Sequence, residues 1–139
     1  MILKLHLFAV AFWLGVVGVE YILERSRARN RHQGFAVADY HYQIDLGLEA
    51  PAFMVALVTG LLLIDPSRLD GLYLVKVLAG GLAVLSNLVC LWPVIQRKRA
   101  ADSNDLPAVI HYSSLIDQIS MLAIPAGLLA LGLGMFGQL

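Results

Sequence analysis

The sequence predicts an all-α integral membrane protein that forms a single domain, a bundle of four transmembrane helices over residues 1–139. Two observations carry this prediction. The chain is 59% hydrophobic and only 14% charged, with a mean hydropathy of +0.75, a composition typical of membrane proteins. It also contains four apolar segments long enough to cross a hydrocarbon core of about 30 Å at about 1.5 Å per helical residue.

The first two predicted helices cover about residues 3–24 and 35–64. The opening MILKLHLFAVAFWLGVVGV lacks the small-residue cleavage pattern of a signal peptide and continues into Glu20, so we expect it to be retained as a helix. RSRARNRHQG then forms the first loop. The second helix begins with the amphipathic stretch FAVADYHYQIDLGLE and therefore projects beyond the membrane, and Pro51 is expected to kink it.

The third and fourth predicted helices cover about residues 71–96 and 107–137. DPSRLDG precedes the third helix, with Asp70 as its expected N-cap. QRKRAADSNDLP forms the third loop, and Pro107 suits an early position in the fourth helix. The fourth helix also begins with an amphipathic stretch, AVIHYSSLIDQIS, so it too is expected to extend past the membrane.

Two further patterns predict how the helices meet each other and the bilayer. Ala126, Ala130 and Gly134 recur at four-residue steps, which is typical of close helix contacts in membranes and favours a homodimer. Trp13, Trp92 and the tyrosines fall mostly near predicted interfaces, where aromatic belts are expected.

Loop charge predicts the orientation of the bundle. Basic residues are concentrated in loops one and three: Arg25, Arg27, Arg29 and Arg31 in the first, and Arg97, Lys98 and Arg99 in the third. The second loop offers only Arg68 between two aspartates. The positive-inside rule therefore places loops one and three in the cytoplasm and both termini outside. With a formal net charge of zero, nothing in the chain favours nucleic acid binding.

Seven acidic and histidine side chains lie in or beside apolar segments, where an unpaired ionisable group is costly and marks a functional site. They are Glu20, Glu24, His41, Asp45, Glu49, His111 and Asp117. His41, Asp45 and Glu49 follow one another at four-residue steps and so share one stripe of the second helix. Imidazole and carboxylate groups on facing helices bind iron, manganese, zinc or copper, although the Glu-x-x-His signature of di-iron bundles is absent. The predicted metal ligands are Glu20, His41, Asp45, Glu49, His111 and Asp117.

A simpler interpretation of these residues is also open. Glu20 and Glu24 can pair with the loop arginines, while His41 and Asp45 cap solvated helix ends near the headgroups. This interpretation is weaker for Glu49 and Asp117, which are predicted to lie deeper in the membrane.

Two basic side chains are predicted at the opposite face of the bilayer. His6 lies near the outer end of the first helix, in LHLFAVAFWLGVVG, and Lys76 lies at a similar depth on the third helix, in LYLVKVLAGGLAVL. A membrane lysine without a nearby acid needs a polar partner, such as a propionate or a phosphate. Asp70 is an alternative partner for Lys76.

Together with EAPAFMVALVTGLLLI on the second helix, these two stretches resemble the small bacterial membrane proteins of the HemJ-type protoporphyrinogen oxidase family and, more loosely, the CopD copper-resistance domain. The resemblance covers about two-thirds of the chain. It implies a multi-pass protein of the bacterial inner membrane, a b-type haem held by His6 and Lys76, a porphyrin as partner and a membrane oxidoreductase activity. This chain carries the acidic stretches GVEYILER and DYHYQIDLGLE where that family is basic, which favours a relative that handles cations or electrons through a changed site.

Three functional hypotheses follow from the sequence. The first is a membrane protein that binds haem or a metal ion and takes part in electron transfer or oxidation. The second is a small transport subunit in which the membrane acids carry protons or cations. The third is a structural accessory subunit whose charged face docks a soluble partner.

Overall fold

The computed structural model describes residues 1–136, and its helical content of 93% confirms the all-α prediction. The helices are α1 (Ile2–Ser26), α2 (Arg31–Ile44), α3 (Ala50–Leu62), α4 (Gly71–Asp102) and α5 (Leu106–Phe136). A π-helical turn, Asp45–Glu49, joins α2 and α3 into one rod of 32 residues. Four rods are therefore long and apolar enough to cross a bilayer, as the sequence predicts.

The first connection is much shorter than the expected loop. α1 continues into a 3-10 turn, Arg27–Arg29, and α2 begins at Arg31. The reason is a local cap, because the Asn30 side chain accepts a hydrogen bond from the Gln33 backbone N–H at 2.9 Å and satisfies one of the free donors at the helix start. The arginines of the predicted loop thus lie on helical turns.

The third connection is also shorter than expected. α4 ends at Asp102 rather than near residue 96, because QRKRAAD contains strong helix formers that continue the helix. Asn104 adopts the left-handed conformation, with φ of 60°, which ends the helical path. Asp105 then caps α5 by accepting the Ala108 backbone N–H at 3.1 Å. The end of the fourth helix at residue 137 lies outside the described residues.

Helices α4 and α5 form the most extensive pair in the bundle, and small residues line their contact. A Cβ placed on Gly80 would lie 3.8 Å from the Ala130 Cβ, and one on Gly134 would lie 3.5 Å from the Lys76 side chain. The seam of Ala126, Ala130 and Gly134 therefore packs on α4 of the same chain. The homodimer stays a prediction that this seam does not support.

A buried apolar layer crosses the middle of the bundle. Trp13 and Phe53 pack with their ring centroids 5.9 Å apart, and small residues from the other helices fill the space around them. The members of this layer are Ala9, Trp13, Ala52, Phe53, Ala56, Ala83, Val84 and Ala126. Large apolar side chains cover the outside of the rods, as lipid contact requires.

Candidate functional site

The π-helical turn places two acids of the candidate site on α2–α3. The hydrogen bond of this turn spans five residues instead of four, because the Ala50 backbone N–H donates to the Asp45 carbonyl. Pro51 follows directly, and a proline ring clashes with the carbonyl four residues before it in a regular α-helix. The wider turn avoids this clash. It also reduces the rotation of about 40° around the helix axis that separates side chains four residues apart in a regular α-helix. Asp45 and Glu49 therefore both point into the bundle.

A buried polar cluster lies beside this turn, between α1, the α2–α3 rod, α4 and α5. Its acids come from two rods that face each other, and its central cation is Arg97 of α4, whose exposed fraction is 0%. The cluster consists of Glu20, Glu24, His41, Asp45, Glu49 and Arg97. Carboxylates this deep need positive charge or hydrogen-bond donors around them.

The outer part of the cluster is a network of ion pairs around Glu24. Arg97 donates to both carboxylate oxygens of Glu24, at 2.6 and 3.0 Å, and to the Ser113 hydroxyl at 3.2 Å. Arg27 also donates to Glu24, and it reaches across to Asp117 on α5 with both of its terminal nitrogens. Two arginines thus compensate the charge of Glu24 and tie α1 to α4 and α5.

His41 connects the outer network to the inner acids. Its Nδ1 contacts Glu24, and Arg97 lies 2.7 Å from the same nitrogen. A carboxylate only accepts hydrogen bonds, so the proton of this contact belongs to Nδ1. The other ring nitrogen, Nε2, faces the inner acids, at 3.3 Å from Asp45 Oδ1 and 3.9 Å from Glu20 Oε1.

The inner acids lack the partners that the outer acid has. Glu20 Oε1 and Asp45 Oδ1 are buried with no hydrogen-bond partner among the described residues. Glu49 has one donor, because the Trp13 indole N–H donates to its Oε1 at 2.8 Å. Unsatisfied buried carboxylate oxygens are unusual in folded proteins and point to a missing cation or proton.

The geometry of this inner group suits a metal ion. One ligand atom each from Glu20, His41 and Asp45 lie within 4.8 Å of one another. Two ligands about 2.0–2.1 Å from a tetrahedral ion are roughly 3.3 Å apart, which matches the 3.3 Å between His41 Nε2 and Asp45 Oδ1. The bond from His41 Nδ1 to Glu24 is the outer contact that metal-bound histidines commonly make, since it fixes the ring and its tautomer.

The remaining predicted site residues lie elsewhere. His111 is exposed and packs edge-on against the Tyr112 ring, with centroids 5.3 Å apart. Asp117 is an exposed partner of Arg27. The structure therefore brings Glu20, His41, Asp45 and Glu49 together and leaves His111 and Asp117 outside the group.

His6 and Lys76 lie at the other end of the bundle, beyond the apolar layer. The His6 Nδ1 is 3.0 Å from the Thr59 hydroxyl and 3.1 Å from the Ala56 carbonyl, so Nε2 is the nitrogen left for a ligand. The Lys76 ammonium lies 5.7 Å from the centre of the Tyr73 ring and has no ion pair among the described residues. Gly60 packs so closely on His6 that an added Cβ would be 3.1 Å from the ring atom Cε1.

The sequence did not indicate three of the site's contacts. Arg97 was expected in a loop and instead lies fully buried on the extended α4. Trp13 was expected at the membrane interface and instead donates to Glu49, and Ser113 accepts a hydrogen bond from Arg97. One signal was available for Trp13, because it precedes Glu20 by seven residues and therefore shares its helix face.

Comparison with known proteins adds no assignment. No protein-family model matches the chain, and no curated protein or solved structure is significantly similar to it.

Proposed function

We propose that this chain is an integral membrane protein that binds one divalent transition-metal ion inside its helix bundle, through Glu20, His41 and Asp45. The observation that carries the proposal is a pair of buried carboxylate oxygens, Glu20 Oε1 and Asp45 Oδ1, which face His41 Nε2 and have no hydrogen-bond partner in the described part of the chain. A cation at this point would satisfy all three groups. Glu49 stands beside them as a fourth ligand, held by Trp13.

The charge of the cluster supports this proposal. Glu24 is compensated by Arg27 and Arg97. Glu20, Asp45 and Glu49 have no arginine or lysine partner among the described residues, and uncompensated charge of this kind is strongly disfavoured away from water. A divalent ion removes most of the excess negative charge without any change in the helices.

The ligand types define the class of ion. Carboxylates favour harder divalent ions such as Mn²⁺, whereas one imidazole extends the range to Fe²⁺ and Zn²⁺. Cys90 is buried but is not one of the three residues of the ligand group found in residues 1–136, so this group contains no soft sulfur ligand of the kind that selects Cu⁺. If the bound ion is iron or manganese, the site takes part in electron transfer or oxidation, as the resemblance to the HemJ-type and CopD proteins implies.

Haem binding at His6 is the second candidate, and it is favoured because His6 Nε2 and the Lys76 ammonium have no hydrogen-bond or ion-pair partner among residues 1–136. In a haem protein of this kind His6 would bind the iron and Lys76 would pair with a propionate, while the haem supplies redox chemistry. We rank this candidate below the metal site, because the metal site has buried carboxylate oxygens without a hydrogen-bond partner among residues 1–136.

Cation or proton transport uses the same inner acids and is a third candidate, while the structural accessory subunit stays a prediction from the sequence. Measurement of the bound metal separates transport from a resident ion. A transport subunit would hold no ion at stoichiometric amounts, and its flux in liposomes would fall in Asp45→Asn.

For the orientation, we propose that the α1–α2 and α4–α5 connections face the cytoplasm of a bacterial inner membrane, which places the acidic cluster near the cytoplasmic side. The arginines that surround these connections support this arrangement.

Metal binding to the purified protein in mild detergent tests the proposal. Metal-free protein titrated with Mn²⁺ or Zn²⁺ in a calorimeter is expected to bind one equivalent. Glu20→Gln and Asp45→Asn are each expected to weaken binding by more than about 100-fold, because loss of an outer contact alone costs about 10–100-fold. Asp102→Asn is the matched control, since Asp102 is an exposed acid paired with Lys98.

Stability measurements on the same variants separate a ligand from a structural acid. Without metal, Asp45→Asn is expected to raise the thermal midpoint, because it removes an unpaired buried charge. Folded wild-type protein that takes up no metal, or Asp45→Asn protein that binds as tightly as wild type, would contradict the proposal. A Soret band in the absorption spectrum that disappears in His6→Ala would instead establish the haem candidate.

A further inference from the structure

An open cavity lies next to the candidate site, at the end of the bundle where α1 meets α5. Its volume is about 310 Å³ and it is open to the surroundings. The residues that line it are Tyr21, Glu24, Arg25, Arg27, Ala28 and Asp117. Glu24 belongs both to this cavity and to the buried cluster, so it separates the cavity from the metal site.

Carboxylates lead from this cavity to the centre of the site. The exposed fraction of the side chain falls from 51% for Asp117 to 12% for Glu24, 8% for Glu20 and 2% for Asp45. Glu24 and Glu20 are one helical turn apart on α1, so an ion can pass from one to the other along a single helix face. Successive carboxylates of this kind are the groups from which a cation exchanges one ligand at a time.

The opposite direction is closed. Beyond Glu49 the Trp13 ring covers the site, and Trp13 packs on Phe53, whose exposed fraction is 0%. The small residues of the apolar layer fill the rest of the cross-section. The members of this layer offer no ligand to a hydrated or partly hydrated cation, so the open cavity is the polar access that the described residues show.

Arg27 stands across the open end. It pairs with Glu24 of α1 and with Asp117 of α5. Its positively charged guanidinium therefore lies between the cavity and the buried cluster. Because Arg97 also holds both oxygens of Glu24, a cation that enters must pass beside the Arg27 guanidinium to reach Glu20. We infer that metal ions enter and leave the buried site through the α1–α5 cavity alone, and that the Arg27–Asp117 ion pair controls the rate of this exchange.

This inference rests on the proposed metal site and is tested by the rate of exchange. Protein loaded with Zn²⁺ is mixed with an excess of a chromophoric chelator, and release is followed in a stopped-flow instrument. Asp117→Ala is expected to speed release by about fivefold or more, the change expected when a partly exposed ion pair no longer has to break. The equilibrium affinity should stay within about twofold, because Asp117 is not a ligand. Asp102→Asn, which removes another ion pair at the same end, should leave the rate unchanged.

A second measurement reads the same route without metal. In metal-free protein, a water-soluble carbodiimide is expected to modify Glu20 faster in Asp117→Ala than in wild type, as measured by mass spectrometry of the peptides. Wild type that binds Zn²⁺ but releases it at the same rate as Asp117→Ala would overturn the inference and leave the metal site standing. Wild type that binds no metal would overturn the proposed function, and the labelling rates would then decide the route alone.

Discussion

At the scale of single residues, Arg97 supports the site without touching the proposed ion. It is fully buried and donates to Glu24 and to Ser113. Glu24 in turn fixes the His41 ring through Nδ1. Arg97 therefore acts as a positioning residue, because it holds the carboxylate that sets the tautomer of the proposed histidine ligand.

Removal of Arg97 gives a prediction about stability. Arg97→Met leaves Glu24 and His41 buried without their main cation, and breaking one side of a buried ion pair typically costs about 3–5 kcal/mol in the free energy of unfolding. Arg99→Met is the control, because Arg99 is an exposed residue two positions along the same helix, and it should change stability by less than about 0.5 kcal/mol. Unfolding in mixed detergent micelles measures both values, and equal stability of Arg97→Met and wild type would contradict this role.

The sequence predicted which acidic residues share a helix face, but it did not predict the basic residues that pair with them. The four-residue spacing of His41, Asp45 and Glu49 predicts a common stripe, and the structure buries all three side chains. No spacing rule predicts that Arg97 meets Glu24, because the two residues are 73 positions apart and their contact depends on how helices rotate in the bundle. Long-range polar contacts of this kind need the tertiary structure.

At the scale of helices, the contact between α1 and α3 depends on one glycine. The His6 ring packs on the Gly60 backbone, where an added Cβ would lie 3.1 Å from the ring. His6 also contacts the Thr59 hydroxyl. The helices can approach this closely only because residue 60 has no side chain.

A methyl group at residue 60 tests this contact. Gly60→Ala is expected to be less stable than Gly81→Ala by about 1–3 kcal/mol, the usual cost of overpacking, since both variants gain the same helix propensity. The control is Gly81→Ala, at a helical position where an added Cβ meets nothing within 4 Å and where alanine is favoured over glycine by about 1 kcal/mol in a helix. Thermal midpoints in detergent compare the two variants, and a Gly60→Ala protein that melts at or above the Gly81→Ala protein would be inconsistent with the packing.

The sequence predicted helix boundaries correctly where it contains a capping or helix-breaking residue. It failed where the presence of charged residues was the only reason to expect a loop. Pro107 indicates an early position in a helix, and α5 begins at Leu106. In contrast, the charged run from Arg97 to Arg99 was assigned to a loop although lysine and arginine are good helix formers. The π-helical turn had a visible cause in Pro51, but its effect on the direction of Asp45 and Glu49 required the structure.

At the scale of the whole molecule, the bundle has two different polar ends separated by an apolar layer. One end holds the acidic cluster, its arginines and the open cavity. The other holds His6, Thr59 and Lys76. Since the layer around Trp13 and Phe53 closes the middle of the bundle, this conformation fits a protein that holds an ion from one side better than a channel that passes it through.

The most direct test of the central claim is whether His41 binds the ion. Pulsed electron paramagnetic resonance of Mn²⁺-loaded protein detects the modulation from a directly coordinated imidazole nitrogen. We predict one such nitrogen in wild type and in His111→Gln, and none in His41→Gln, because His41 Nε2 is the only histidine nitrogen in the ligand group formed by residues 1–136. A protein that binds no Mn²⁺, or an unchanged nitrogen signal in His41→Gln, would contradict the account.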